Sequence, residues 1–213
     1  MENQRIEVIR INMLKMFELT IKYLNESADV FFNNSVINVP NINDDEIDSL
    51  ERNIEEECLH MILRERPFAK DLRSVTGIFK MVEDVERLGD HAEDLLWTTT
   101  NLLKYSEHIK IADLTKMMKI ALKMVSDAYE AFAKNDEVLA AEVIKTDDLV
   151  DELYLKVLKE IPIKKDEFKL SDDFIIYSTL LTKYIERIAD HASNIAEWTA
   201  YIKSGYYKDK VII

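Results

Sequence analysis

Residues 86–92 read ERLGDHA and residues 186–192 read ERIADHA. A seven-residue pattern that returns one hundred positions later is the signature of a duplicated folding unit, and it limits the fold to something that can be written twice in one chain. The agreement runs further. DVERLGDHAED (84–94) matches YIERIADHASN (184–194), VFFNNS (30–35) matches AFAKND (131–136), and NDDEIDSL (43–50) matches KTDDLVDEL (145–153). The offsets between the copies are roughly 100 to 103 residues throughout.

The unit is helical. Ile6, Ile9, Met13, Met16, Phe17, Ile21, Leu24, Ala28 and Phe31 recur at gaps of mostly three and four, which puts them on one stripe of a long helix. Leu114, Met117, Ala121, Met124, Ala128 and Ala131 repeat the stripe. Leu139, Val143, Val150, Leu153 and Val157 carry it on after Asp136, an expected N-cap. Only 3 Gly and 3 Pro interrupt the chain, which disfavours an all-β fold. Pro40, Pro67 and Pro162 are read as turns, and Gly205 as the C-cap of the last helix. The spacing predicts helices near 4–34, 44–65, 68–107, 110–134, 137–161 and 172–204, with no strand. The expected fold is therefore all-α: two tandem three-helix bundles, residues 1–108 and 109–213, each able to bury its own stripe.

A formal net charge of −13 excludes nucleic acid as a direct partner and favours cations or basic faces on other proteins. No run of 18 apolar residues occurs, so no membrane insertion is expected. The single Cys58 is compatible with a reducing compartment, and a cytoplasmic location is expected.

Four acidic pairs stand at i, i+4 spacing: Asp44/Asp48 and Glu86/Asp90 in the first half, Asp147/Asp151 and Glu186/Asp190 in the second. On a helix this spacing stacks both carboxylates on one face. With 41 acidic residues, about eight such pairs arise by chance, so one pair carries no information. These four recur at matching places, and each borders an apolar seam residue: Ile47-Asp48, Val85-Glu86, Val150-Asp151, Ile185-Glu186. Folding each half as a helical hairpin, near Pro67 and near residue 168, brings two pairs to the same height. Four hard oxygen ligands then meet in each half, a set suited to Mg²⁺, Mn²⁺, Ca²⁺ or iron. Neutralisation by Arg87 and Arg187, or plain solvation, is the alternative.

Other residues favour packing. His91 and His191 follow the motif aspartates and are read as packing or capping groups, with a ligand or supporting role kept open. Gly89 and Ala189 suggest close helix approach, Trp97 and Trp198 plugs at bundle ends, and Cys58 a core thiol. Glu57-x-x-His60 has di-iron spacing, but the second copy that such a site needs is missing. No phosphate loop, nucleophile elbow or Cys-x-x-Cys occurs, and no enzymatic activity is expected.

DVERLGDHAEDL and YIERIADHASNIAEW resemble the signature helix of the PhoU family. DDEID and TDDLVD resemble its companion motif, and RPFAKDLRSV (66–75) is similar to its turn ahead of the signature helix. The resemblance covers essentially the whole chain, twice and in order. It implies two three-helix bundles and a regulator of phosphate uptake and phosphate-starvation signalling. The implied partners are the ATPase of a phosphate ABC transporter and a phosphate-sensing histidine kinase, and a homodimer is expected. It further implies that Asp44, Asp48, Glu86, Asp90, Asp147, Asp151, Glu186 and Asp190 hold iron or zinc, beside the magnesium or manganese that such hard oxygen ligands also suit. A helical iron-storage or oxidase protein, and a metal-free helical adaptor, are the competing expectations. Three departures separate the copies. Asp94 stands opposite Asn194, the SVINVPNIND connection is shorter than its counterpart, and the second half lacks an equivalent of Leu72-Arg73.

Overall fold

The structure, a computed structural model, describes residues 2–35, 39–106, 111–207 and 210–211. Six helices follow in order: α1 (Glu2–Asn33), α2 (Asp45–His60), α3 (Lys70–Ser106), α4 (Ala112–Lys134), α5 (Glu137–Phe168) and α6 (Asp172–Ser204). The expected division at 108/109, the helix end at 107 and the helix start at 110 lie outside the described residues.

Local chemistry explains most boundaries. Asn34 and Asn135 end α1 and α4 at φ of 51° and 56°, the left-handed region that Asn tolerates well. Both turns close alike, with Asn34 N–H donating to Phe31 O and Asn135 N–H to Phe132 O. Asp136 caps α5 by accepting from the amides of Val138 and Leu139, and Gly205 closes α6 at φ 84°. α2 leaves through a π-helical turn at Met61–Glu65 before Arg66 reverses the chain at φ 52°.

Pro162 corrects the sequence expectation. It lies inside α5, which runs six residues past it to Phe168, and the turn falls at Lys169. The proline sits on the exposed face beside buried Ile161, where solvent can take over the carbonyl that the missing N–H leaves free. A second difference is small. Tyr206–Tyr207 (β1) and Lys210–Val211 (β2) form an antiparallel two-residue ladder where no strand was expected.

Each half is a three-helix bundle, and the two are fused. α3 and α6 pack along most of their length, α1 touches α4, and α2 and α5 flank the outside. The central pair is antiparallel: Asp84 meets His191, His91 meets Tyr184, and Trp97 meets Tyr177. The apolar stripes merge into one core that includes Met13, Phe17, Val85, Leu88, Met117, Leu153, Ile185 and Ile188. Burying each such side chain contributes about 1.5–3 kcal/mol. Close approach explains Gly89, since a Cβ there would stand 2.9 Å from Ile47 Cδ1. Cys58 is buried, and burial pushes its thiol up to about 12, as expected of a core residue. Trp97 departs from expectation: at 55% exposure it lies on the surface and plugs nothing.

Candidate metal centres

Of the four carboxylates expected to meet in each half, three converge in the second half and no three do in the first, among the described residues. In the second half Asp147 and Asp151 come from α5, and Glu186 and Asp190 from α6. One carboxylate oxygen each from Asp151, Glu186 and Asp190 lie within 4.8 Å of one another. Asp147 Oδ1 is buried without a hydrogen-bond partner. Burial first, then Asp190 and Asp151, pushes the Asp147 carboxyl up to about 6. Burial and the same neighbours raise Glu186, and burial and Asp151 raise Asp190. Three convergent oxygens and a fourth lacking any donor form a set that a hard cation satisfies, so the residues fit the implied metal.

The first half has the same frame and a different balance. Asp44 stands just ahead of α2 and Asp48 in its first turn, while Glu86 and Asp90 project from α3. Arg87 enters this patch. Its Nη1 donates to Asp90 Oδ2 at 3.0 Å, and its Nε stands 3.5 Å from Glu86 Oε2. The second contact lacks hydrogen-bond alignment, so that buried oxygen keeps no donor. Burial and Asp90 push Glu86 up to about 7 despite the arginine. Arg52 pairs with Asp48 at 3.7 Å. Burial and Asp48 raise Asp44, while burial and Glu55 raise Glu51 at the edge of the patch. No three of these carboxylates converge as Asp151, Glu186 and Asp190 do, among the described residues.

Between the patches, where α3 crosses α6, lies a polar cluster that the sequence only partly announced. His191 Nδ1 is 2.8 Å from Asp84 Oδ1, which also accepts from Asn194 Nδ2 at 3.2 Å. His91 Nδ1 is 3.3 Å from Asp94 Oδ2, and the His91 ring lies against Tyr184. The imidazole rings face each other at 5.5 Å. Burial lowers the pKa of His91, partly offset by the Asp94 contact. Position 84 is Asp where 184 is Tyr, and 94 is Asp where 194 is Asn, so each histidine receives one aspartate. The Asp94/Asn194 departure was legible in the sequence; Asp84 and Tyr184 as its complement were not. Among the described residues His60 joins no metal set, its Nδ1 lying 3.2 Å from Arg5 Nη1.

The fold and these clusters define a class: a duplicated six-helix scaffold with a carboxylate patch at the same place in each repeat. The chain belongs to the PhoU family. The PhoU domain model matches it twice, at residues 13–96 and 114–199. It is 30% identical over 208 residues to the phosphate-specific transport system accessory protein PhoU homolog 1 of Thermotoga maritima, covering 95% of this chain and 88% of that one. It is 31% identical to the corresponding Pseudomonas aeruginosa homolog, over 95% of this chain and 85% of that one. The crystal structure of PhoU from P. aeruginosa superposes with a TM-score of 0.86 over 97% of this chain and all of that chain, at 31% identity. PhoU from Streptococcus pneumoniae, at 22% identity and a TM-score of 0.83, has the same fold.

Proposed function

We propose that this protein regulates phosphate uptake and the phosphate-starvation response without catalysing a reaction, through contacts with a transporter ATPase and a phosphate-sensing histidine kinase. The observation that supports this most is family membership over nearly the full length, with relatives named as accessory proteins of phosphate-specific transport. The electrostatics agree. At −13 the chain is a poor ligand for DNA, so any control of genes passes through other proteins. Among the described residues no helix is long and apolar enough to cross a membrane, so contact with a transporter would involve parts of it outside the bilayer.

Asp147, Asp151, Glu186 and Asp190 would hold a cation such as iron, zinc, magnesium or manganese, and Asp44, Asp48, Glu86 and Asp90 offer a second, weaker place. Bound there, such a cation supplies positive charge through which a partner's carboxylates or phosphate can be held. The chain's own contribution is to fix Asp147, Asp151, Glu186 and Asp190 on α5 and α6, and Asp48, Glu86 and Asp90 on α2 and α3 with Asp44 just ahead of α2, and to leave their outer edge open to solvent.

Deleting the gene in its native host and measuring alkaline phosphatase and phosphate accumulation in phosphate-rich medium tests the proposal. Both should rise above wild type. Wild-type levels of both, in a strain with no second copy of the gene, would sink it and leave the adaptor alternative in front.

A further inference from the structure

Four helices leave a hollow at one end of the core they share. Phe31 and Phe32 of α1, Leu102 and Leu103 of α3, Leu114 of α4 and Phe174 of α6 form most of its wall. Its empty space, counted out to the open mouth, is about 520 Å³. Pockets that hold small molecules span roughly 300–1,000 Å³. No acidic, basic or histidine side chain lines the hollow among the described residues. Lys119 Nζ stands 5.8 Å from the centre of the Phe32 ring without joining the wall.

Two hydroxyls in this apolar wall have no partner. Thr99 Oγ1 and Ser178 Oγ are buried without a hydrogen bond, and both residues are 0% exposed. Other core hydroxyls turn back on their own helix: Thr20 donates to Met16 O, Thr182 to Ser178 O and Thr199 to Ile195 O. Thr98 also lacks a partner but does not line the hollow. An unpaired buried hydroxyl is costly, and the hollow is where a group that satisfies Thr99 and Ser178 can stand.

The duplication supplies a built-in comparison. A second hollow lies at the other ends of the same four helices, where Phe132, Asn135, Thr199 and Ile202 stand for Phe31, Asn34, Thr99 and Leu102. Arg10, Lys203 and Ser74 there take the places of Ile111, Leu103 and Phe174. Its hydroxyl problem is solved: Thr199 is bonded to Ile195 O, and Ile78 replaces Ser178. One hollow is therefore polar and charged with its hydroxyl satisfied. The other is apolar with two hydroxyls left open, so the helix crossing itself requires neither feature.

We propose that the hollow walled by Phe31, Leu102 and Phe174 binds a small, uncharged, mainly apolar molecule whose one hydrogen-bonding group pairs with Thr99 and Ser178. The walls take the apolar body as the core takes its own side chains, and an ionised ligand would find no counter-charge in the lining. The wall draws on α1 and α3 of one repeat and on α4 and α6 of the other, so the bound molecule ties the repeats together. This site does not rest on the regulatory role proposed above.

Phenol and toluene test it, because they share a shape and differ by a hydroxyl against a methyl; benzoate tests charge. Binding to the full chain is read by titration of labelled Leu and Ile methyl signals. Phenol should bind at least as tightly as toluene, and benzoate much more weakly than either. The methyls of Leu102, Leu103, Ile111 and Leu114 should shift, and that of Ile202 in the other hollow should not. Thr99→Val with Ser178→Ala removes only unpartnered hydroxyls, so this variant should keep the native circular dichroism and unfold no earlier than wild type. In it the preference should swing from phenol to toluene by at least tenfold. Ser178→Ile, which installs the residue type found at position 78, should fill the hollow and abolish binding of both.

Three results overturn the proposal. One is no binding of phenol or toluene up to their solubility, which leaves the hollow to water or to the chain itself. Another is a phenol-to-toluene ratio within twofold of wild type in the Thr99→Val, Ser178→Ala variant, a reading that stands even if Ser178→Ile does not fold. The last is benzoate binding as tightly as phenol. None depends on the deletion phenotype, so failure here and failure of the regulatory role are told apart.

Discussion

In the first repeat Arg87 reaches along its own helix and binds Asp90, with Glu86 beside it. In the second, Arg187 follows Glu186 at the same place, yet it forms no ion pair within 4.0 Å among the described residues, and Glu186 and Asp190 converge with Asp151 instead. Arg187 is near enough to lower both carboxyls without closing on either. The two motifs differ by only two residues, Leu88/Ile188 and Gly89/Ala189, so the motif does not decide what neutralises it. One patch carries its own counter-ion within ion-pair distance, and the other, among the described residues, does not.

The largest effect that tests this contrast is on bound metal. Purified without chelators or affinity tags, the protein should carry its metal chiefly in the second half. Asp151→Asn, Glu186→Gln and Asp190→Asn together should lower cation affinity by more than about tenfold, since they remove every convergent charge. The matching first-half variant, Asp48→Asn, Glu86→Gln and Asp90→Asn, should keep most of the metal. Removing the internal cation sharpens the comparison: Arg87→Ala should raise first-half affinity on the order of tenfold, because the freed carboxylates then seek a charge-assisted partner. Elemental analysis and metal titration read all three. Wild-type stoichiometry in both triple variants would remove metal from the account, and equal losses would remove the asymmetry.

What the sequence could reveal follows the same division. Helix number and the convergence of Asp151, Glu186 and Asp190 were legible because they depend on spacing, and spacing is fixed by the helix pitch. Pro162 misled because the cost of a proline depends on whether its carbonyl partner faces solvent, which is a tertiary fact. Arg87 and Arg187 were indistinguishable because a side chain chooses its rotamer among neighbours from another helix. Asp84 went unread for a related reason. Its partner His191 lies 107 residues away on α6, and only the antiparallel crossing of α3 and α6 brings them together.

A smaller effect separates the two in-helix glycines, whose places in the other repeat are filled differently. Gly77 corresponds to Tyr177, and Gly89 to Ala189. A Cβ at Gly77 would stand 2.3 Å from Ile202 Cγ1 and 2.8 Å from its Cδ1, so the body of the side chain and not only its tip must move. Gly77→Ala should cost about 1–3 kcal/mol through overpacking. At Gly89 the nearest atom is the tip of Ile47, and alanine recovers up to about 1 kcal/mol of helix propensity. Gly89→Ala should therefore stay within about 1 kcal/mol of wild type by urea unfolding. A larger loss at Gly89 than at Gly77 would mean that the α2–α3 contact, not the crossing of α3 and α6, is the tighter one.

The smallest expected effect is on the pH dependence of stability in metal-free protein, and it again divides the halves. Glu86 is pushed up to about 7 and Asp147 to about 6, both above their values in an unfolded chain. Folded protein then holds protons that the unfolded chain releases, so stability from these groups is fully present below about pH 4 and is lost as pH rises through 6 and then 7. Glu186, Asp190 and Asp44 are raised too and act with the same sign. Urea midpoints should therefore fall between pH 5 and pH 7.5. Asp147→Asn should flatten the lower part of that fall and Glu86→Gln the upper part, because the neutral amide has no proton to lose. Adding a divalent cation should act like Asp147→Asn, filling the place where the repelling oxygens converge, and should leave much of the Glu86 share, where Arg87 already occupies the ground. If the cation instead abolishes the upper part and spares the lower, the first patch is the metal centre and Arg87 yields to it.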